Sequence, residues 1–224
     1  MKTLVFDTCF NKSYIVMNID GKIIANEQIE STDSNYHSAY LIPKIRDILK
    51  LNNIKISDLD AIGVNIGPGS FTGIRAGITI ARVLAQQTNI KLVGITSLEI
   101  LSKINETNSE TIVILDARKN KLYFAKYEGN KEIIAPKLID KDDIELYINK
   151  KSTIITDSVI SQFLNEKNIL SINYEQKDNR LGLILSEIVS ERLLRNEEDY
   201  NWAKVKPLYI QKPSITKPKE NKNE

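Results

Sequence analysis

The sequence predicts an α/β protein built of two like domains in tandem, and three observations predict it. The first is the stretch 59–88, LDAIGVNIGPGSFTGIRAGITIARVLAQQT. An apolar, β-branched run from Ala61 to Ile66 meets a Gly67-Pro68-Gly69-Ser70 turn, and a helical pattern follows from about Thr72 to Thr88, the strand–turn–helix order of α/β folds. The second is an internal likeness. Residues 113–132 set without gaps against residues 4–23 give five identities, Asp7/Asp116, Asn11/Asn120, Lys12/Lys121, Tyr14/Tyr123 and Lys22/Lys131, where chance gives about one or two. The third is the polar linker NETNSE at 105–110, which punctuates the chain between the two copies. The expected bounds are 1–104 for the first domain and 111–211 for the second. The Lys/Asn/Pro-rich end, 212–224, has almost nothing to bury and is expected to be a disordered tail.

Taken in order, residues 2–7, 13–19 and 22–29 read as three strands, with Asp20-Gly21 as the hairpin turn between the last two. Leu41, Ile42, Ile45, Ile48 and Leu49 share one face of a helix over 36–51, which starts or kinks at Pro43. A strand at 60–66, the helix 72–88, a strand at 91–95 and a helix over 97–104 complete the first half. The second half repeats strand–Asp–turn–strand. It continues with a helix near 140–149, a strand at 152–157, a helix at 158–167, a long helix at 180–195 and an extended segment at 204–213. The long helix carries Leu181, Ile184, Leu185, Ile188, Val189 and Leu193 at helical spacing, a core stripe.

Composition narrows the chemistry. With 224 residues, 42% apolar and 27% charged, the chain is an ordinary globular one. A net charge of +2 implies no nucleic-acid stripe by itself. The lone Cys9 excludes an internal disulfide, which suits a reducing, cytoplasmic setting. The opening MKTLVFD is not the pattern of a signal peptide, and no apolar run is long enough for a membrane span. One histidine, His37, cannot furnish a two-histidine metal site. There is no G-x-S-x-G elbow for a serine nucleophile.

The glycine turn invites a phosphate reading, because a strand–turn–helix aims backbone N–H groups at one spot. The letters do not match known loops. Gly73 is followed by Ile74-Arg75 rather than Lys-Ser/Thr, and Gly67, Gly69 and Gly73 are spaced G-x-G-x-x-x-G, unlike either the P-loop or the dinucleotide turn. A tight turn with no ligand stands equally as the alternative. In the helix, Gly73, Gly77, Ala81 and Ala85 make an i±4 ridge of small side chains. It accepts either an intrachain neighbour or a second subunit at close range.

The eleven residues Gly67–Gly77, GPGSFTGIRAG, resemble the signature of the TsaB (YeaZ) family, a subunit of the bacterial machinery that makes N6-threonylcarbamoyladenosine on tRNA. The resemblance extends to FDT near the start, His37-Ser38 with Leu41 and Pro43, Asp116-Ala117-Arg118 followed by Tyr123, and Pro207-Leu208-Tyr209-Ile210. Cys9 stands where a small hydroxyl residue is usual, and Gln211 replaces a common basic residue. Two domains opening on strand–Asp–hairpin also resemble the tandem RNase H-like fold of acetate and sugar kinases, heat-shock ATPases and actin. There the acidic residue after the first strand faces nucleotide phosphates, which implies Asp7 and Thr8 as a degenerate phosphate site and Asp116 as its counterpart. The glycine-rich clamping motifs of an active kinase are not found after residue 150, so no cofactor is required, and weak ATP or ADP binding stays open.

The resemblance implies a non-catalytic subunit. The catalytic paralogue, TsaD, holds its metal with H-x-x-x-H on a helix, and here that interval starts at His37 and ends at Leu41. His37 is then a capping or interface group, or a plain surface residue. The implied partners are TsaD, the ATPase subunit TsaE and tRNA through the complex, with a homodimer when the chain is alone. The implied interface takes in His37, Leu41, Ile45, Gly69, Ser70, Phe71, Gly73, Arg75, Gly77 and Ala81, so that Gly77→Leu is expected to break the assembly. The transfer to adenosine 37 would occur on the partner. The alternative reading is a small ATP-dependent phosphotransferase of the sugar-kinase type using Asp7 and Asp116.

Overall fold

The computed structural model describes all residues except 31–36, 108, 150, 177–179, 197–198 and 212–224; the expected tail lies outside the described residues. β1 (Lys2–Asp7), β2 (Lys12–Ile19) and β3 (Lys22–Glu30) form an antiparallel meander. The β2–β3 turn is the expected Asp20-Gly21, with φ of 50° and 84°, the left-handed pair that a tight hairpin requires. β4 (Ala61–Asn65) pairs parallel with β1, and β5 (Lys91–Ile95) parallel with β4, giving the order β3-β2-β1-β4-β5. Every residue of β4 is buried, the unbroken apolar run of a strand covered on both faces. α1 (His37–Leu51) and α2 (Phe71–Thr88) cover the outer face, burying Leu41, Ile48, Ile74 and Ile78 against Leu4, Phe6 and Ile62. α1 runs through Pro43 rather than starting at it.

The second half repeats the plan. β6 (Glu110–Asp116), β7 (Lys121–Glu128), β8 (Lys131–Asp140), β9 (Thr153–Thr156) and β10 (Ile172–Asn173) lie in the order β10-β9-β6-β7-β8. Their parallel and antiparallel pairings match those of the first sheet one for one. The chain therefore has the two tandem RNase H-like α/β units expected of it. α4 (Ser158–Glu166) covers the outer face of the second sheet. α3 (Ser97–Ser102) and α5 (Leu181–Arg195) lie in the central core shared by both sheets.

The structure departs from the sequence reading in three places. The helix expected near 140–149 is a 3-10 turn, Lys141–Leu146, with Ile144 buried and Tyr147 and Ile148 packed beside it; so short a segment falls below the length at which an α-helix is favoured. The expected domain bounds do not follow the packing. α5 lies on β1, β2 and β4, and after it Leu92 N donates to Tyr200 O at 2.9 Å and Leu208 N to Ile66 O at 2.9 Å. Residues 181–211 thus complete the first lobe, with α5 covering the inner face of its sheet.

The gap-free repeat also slips by one residue at its most tempting identity. Phe6 pairs with Ile15, nine positions on, whereas Ile114 pairs with Phe124, ten positions on. All four face the outer helices. On the inner face Asp7 pairs with Tyr14 and Leu115 with Tyr123. The counterpart of Asp7 is therefore Leu115, and Asp116 sits one residue further along a longer hairpin.

Candidate functional site

The Gly67–Ser70 turn rests on a buried polar hub. Asn65, the last residue of β4, donates Nδ2–H to Asp7 Oδ2 at 2.8 Å, while its Oδ1 accepts from Gly67 N at 2.8 Å and from Ser97 Oγ at 3.0 Å. Asp7 Oδ1 accepts from Cys9 N at 2.6 Å. Ser97 N donates to Gly67 O at 2.9 Å and Ser70 N to Cys9 O at 2.8 Å. Burial pushes the Asp7 carboxyl up to about 6 despite the hydrogen bonds that oppose the shift. Burial also pushes the Cys9 thiol up, away from thiolate chemistry.

Two expectations change here. Asp7 and Thr8 do not face a ligand. Each is 1% exposed, the carboxylate holds Cys9 and Asn65, and Thr8 Oγ1 donates to Gly73 O at 2.7 Å. Backbone donors of the turn, Gly67 N, Ser70 N and Gly73 N (the last to Ser70 Oγ at 3.2 Å), are already used within the chain. A fixed turn is what remains.

The small-residue ridge is likewise internal. A Cβ on Gly73 would sit 1.8 Å from Thr8 O, and one on Gly77 would sit 2.5 Å from Thr8 Oγ1. Gly73, Gly77, Ala81 and Ala85 are buried, so the close neighbour that the ridge admits is the end of β1. Gly73, Gly77 and Ala81 therefore form no partner surface. Leu41, 0% exposed, and Ile45, 4% exposed, belong mainly to the core as well, whereas Gly69, Ser70, Phe71 and Arg75 are exposed. The His37 side chain lies outside the described residues. Gly77→Leu would test the fold, not an interface.

What the two outer helices do present is a groove. It has a volume of about 600 Å³ and is lined mainly by Ile42, Ile45, Leu49, Ile54, Ile56, Ile80, Val83 and Leu84, with Arg46 and Lys50 at its edge. Ile42 is 57% exposed and Val83 50%. Sequence reasoning fixed on the small residues of α2 and passed over its second stripe, Thr79-Ile80 and Val83-Leu84, although the i, i+4 spacing was there to read.

The lobes also enclose a cleft of about 650 Å³ between the β1–β2 loop and the start of α4. Asp157 caps α4 by accepting from Ile160 N at 2.9 Å and also accepts from Asp116 N at 2.6 Å. Its carboxyl is raised, first by burial and then by the nearby charges of Asp116 and Glu175. The floor is latched by Asn11 Nδ2 donating to Glu175 Oε1 at 3.0 Å and by the Phe10 and Tyr174 rings, 5.3 Å apart. Among the described residues no cluster of three or more His, Cys, Asp or Glu side chains has the arrangement to hold a metal ion.

Two like lobes around a cleft, with a helical groove outside, place the chain in the class of tandem RNase H-like proteins. Residues 22–177 match the family model described as "TsaD: tRNA N6-adenosine threonylcarbamoyltransferase". A TsaB protein of Escherichia coli (strain K12) is 30% identical over 131 residues, 57% of this chain and 55% of that protein. A TsaB protein of Buchnera aphidicola is 28% identical over 179 residues, 72% of this chain and 80% of that protein. The chain thus matches about half the length of the first relative, 55%. A solved structure from Pseudomonas aeruginosa, described as similar to peptidase YeaZ, superposes with a TM-score of 0.74 at 17% identity over 94% of this chain and 99% of that one, which shows the fold. The chain belongs to the TsaD-type threonylcarbamoyltransferase family, in its TsaB (YeaZ) group.

Proposed function

We propose that this chain is a non-catalytic partner subunit needed for N6-threonylcarbamoyladenosine formation at adenosine 37 of tRNA. It docks a TsaD-type paralogue through the α1–α2 groove, and the ATPase subunit TsaE joins that assembly. The transfer takes place on the paralogue, and tRNA is engaged through the complex. The observation that carries this is the groove itself, an apolar surface with Ile42 and Val83 about half exposed. Full burial of side chains of this kind contributes about 1.5–3 kcal/mol each. When the paralogue is absent, the same face suits an isologous homodimer.

Support for a non-catalytic role comes from position 41. One helical turn after His37, where a second metal ligand would stand, the chain has Leu41, fully buried in the core. No cofactor is needed for docking. The kinase-type reading through Asp7 and Asp116 gains nothing from the geometry, since Asp7 lies under the turn and Asp116 is not its counterpart. Among the described residues no helix is long and apolar enough to cross a membrane, which accords with a cytoplasmic tRNA-processing role.

The test is the threonylcarbamoyladenosine content of tRNA in cells whose only copy of this chain carries Val83→Asp. The expected result is a loss of the modified nucleoside with the protein present at normal level. Unchanged modification would overturn the docking role of the groove.

A further inference from the structure

The mouth of the inter-lobe cleft carries a second surface, of a different chemistry from the groove. A recess of about 280 Å³ is lined by Phe71 and the turn before it, by Arg118, Lys119 and Tyr123 of the β6–β7 hairpin, and by the returning chain at Tyr209 and Gln211. Among the described residues no Asp or Glu lines it. Arg118 and Lys119 are exposed. Their turn is held in place: Arg118 N donates to Asp116 Oδ1 at 2.9 Å, and Lys121 N donates to Arg118 O at 3.0 Å.

Beside the cations lies an exposed π platform. The Arg75 guanidinium sits 3.9 Å from the Phe71 ring centroid, and its Nε–H donates to Tyr209 Oη at 2.9 Å. The two rings, 49% and 44% exposed, have centroids 6.0 Å apart. Exposed rings and guanidinium planes stack nucleobases, and flanking cations take the phosphates, which is the common design of single-strand binding surfaces.

The larger cleft that adjoins this recess is lined by Asp116, Asp157 and Glu175 together with Arg118. Three carboxylates against one cation disfavour a phosphate chain in the larger cleft, whereas Arg118 and Lys119 favour one in the recess. This charge pattern argues against a free nucleoside triphosphate settling in the cleft.

We propose that this mouth binds single-stranded RNA directly, with phosphates at Arg118 and Lys119 and a base against the Phe71–Arg75–Tyr209 platform. The choice of RNA as the strand rests on the proposed function; the surface does not. Phe71 and Arg75 stand at the border with the α1–α2 face, so the second-lobe turn, not α2, carries the phosphate contacts.

The test is fluorescence anisotropy of a labelled single-stranded RNA of about a dozen nucleotides, titrated with the full isolated chain at several salt concentrations. The paralogue is absent, so failure here and failure of the docking reading are separate results. Arg118 and Lys119 have φ of 62° and 51°, a region where glycine is at ease. The double variant Arg118→Gly/Lys119→Gly therefore removes both cations without opposing the turn. It is expected to lower the slope of log affinity against log salt by about 1.4, at about 0.7 per phosphate contact. Tyr209→Leu is expected to weaken binding about tenfold through the lost platform. A full-chain variant with Lys217→Ala and Lys219→Ala is expected to bind as the wild type does. The proposal is overturned by absence of binding, by binding that the glycine pair leaves unchanged, by loss confined to the tail variant, or by ATP competing as well as RNA does.

Discussion

Asp7 looked like a ligand-facing carboxylate and is instead the buried end of the hub beneath the glycine turn. Its folded value of about 6 lies above the ordinary 3.8, so the native state takes up this proton more readily than the unfolded chain. The stability tied to that proton is complete below about pH 4 and is lost as pH rises through about 6, on the order of 3 kcal/mol in all. Asp7→Asn sets its amide against the Asn65 amide and leaves donors unpaired, a loss of about 1–3 kcal/mol. Urea unfolding across this pH range should show the stability advantage of wild type over the variant shrinking as pH rises; an advantage that grows would contradict the sign. Gly73 gives the companion case. Gly73→Ala drives a methyl into Thr8 O, and thermal unfolding should show a destabilisation of about 1–3 kcal/mol or more. The residues of this hub were only partly legible. Asp7 and Gly73 stood out as letters, but Asn65 and Ser97 read as ordinary strand-end and helix-start residues, because their roles come from pairing across the fold.

At the scale of the element, α2 carries two neighbouring faces, one buried in the fold and one that lines the outer groove. Its glycine and alanine ridge meets the end of β1, and the adjacent stripe, Ile80, Val83 and Leu84, lines the groove with Ile42 of α1. The i±4 recurrence of small residues was plain in the sequence, but the spacing alone does not say which backbone comes close. Val83→Asp alters a half-exposed position and should leave the unfolding free energy from urea titration within about 0.5 kcal/mol of wild type. The hairpins were the most legible elements. Asp20-Gly21 fixes its turn by left-handed φ whatever surrounds it. The helix expected near 140–149 is only a 3-10 turn, although Ile144, Tyr147 and Ile148 pack on the second core at helical spacing, so spacing alone did not decide the helix type.

At the scale of the whole molecule, the duplication was readable as strand–Asp–hairpin twice over, and the matching strand orders of the two sheets bear it out. What the sequence did not reveal is that the chain comes back. α5 follows the second sheet and covers the first, and Tyr200 and Leu208 bond to the β5 edge and the loop after β4. An apolar stripe records that a helix is buried, not which sheet buries it. A fragment ending at residue 104 should therefore lack cooperative unfolding and expose apolar surface, as judged by dye binding and near-ultraviolet circular dichroism. A fragment that unfolds cooperatively would contradict the shared core.

The central claim is that the outer groove, not the glycine ridge, is the docking face, and one measurement tests it most directly. The purified full chain is titrated calorimetrically with its purified TsaD-type paralogue, as wild type and as Val83→Asp. The account predicts tight binding by the wild type and an affinity lowered by at least about thirtyfold in a variant that unfolds like wild type, as expected for a charge placed at a buried contact. Equal affinities for the two proteins would contradict it.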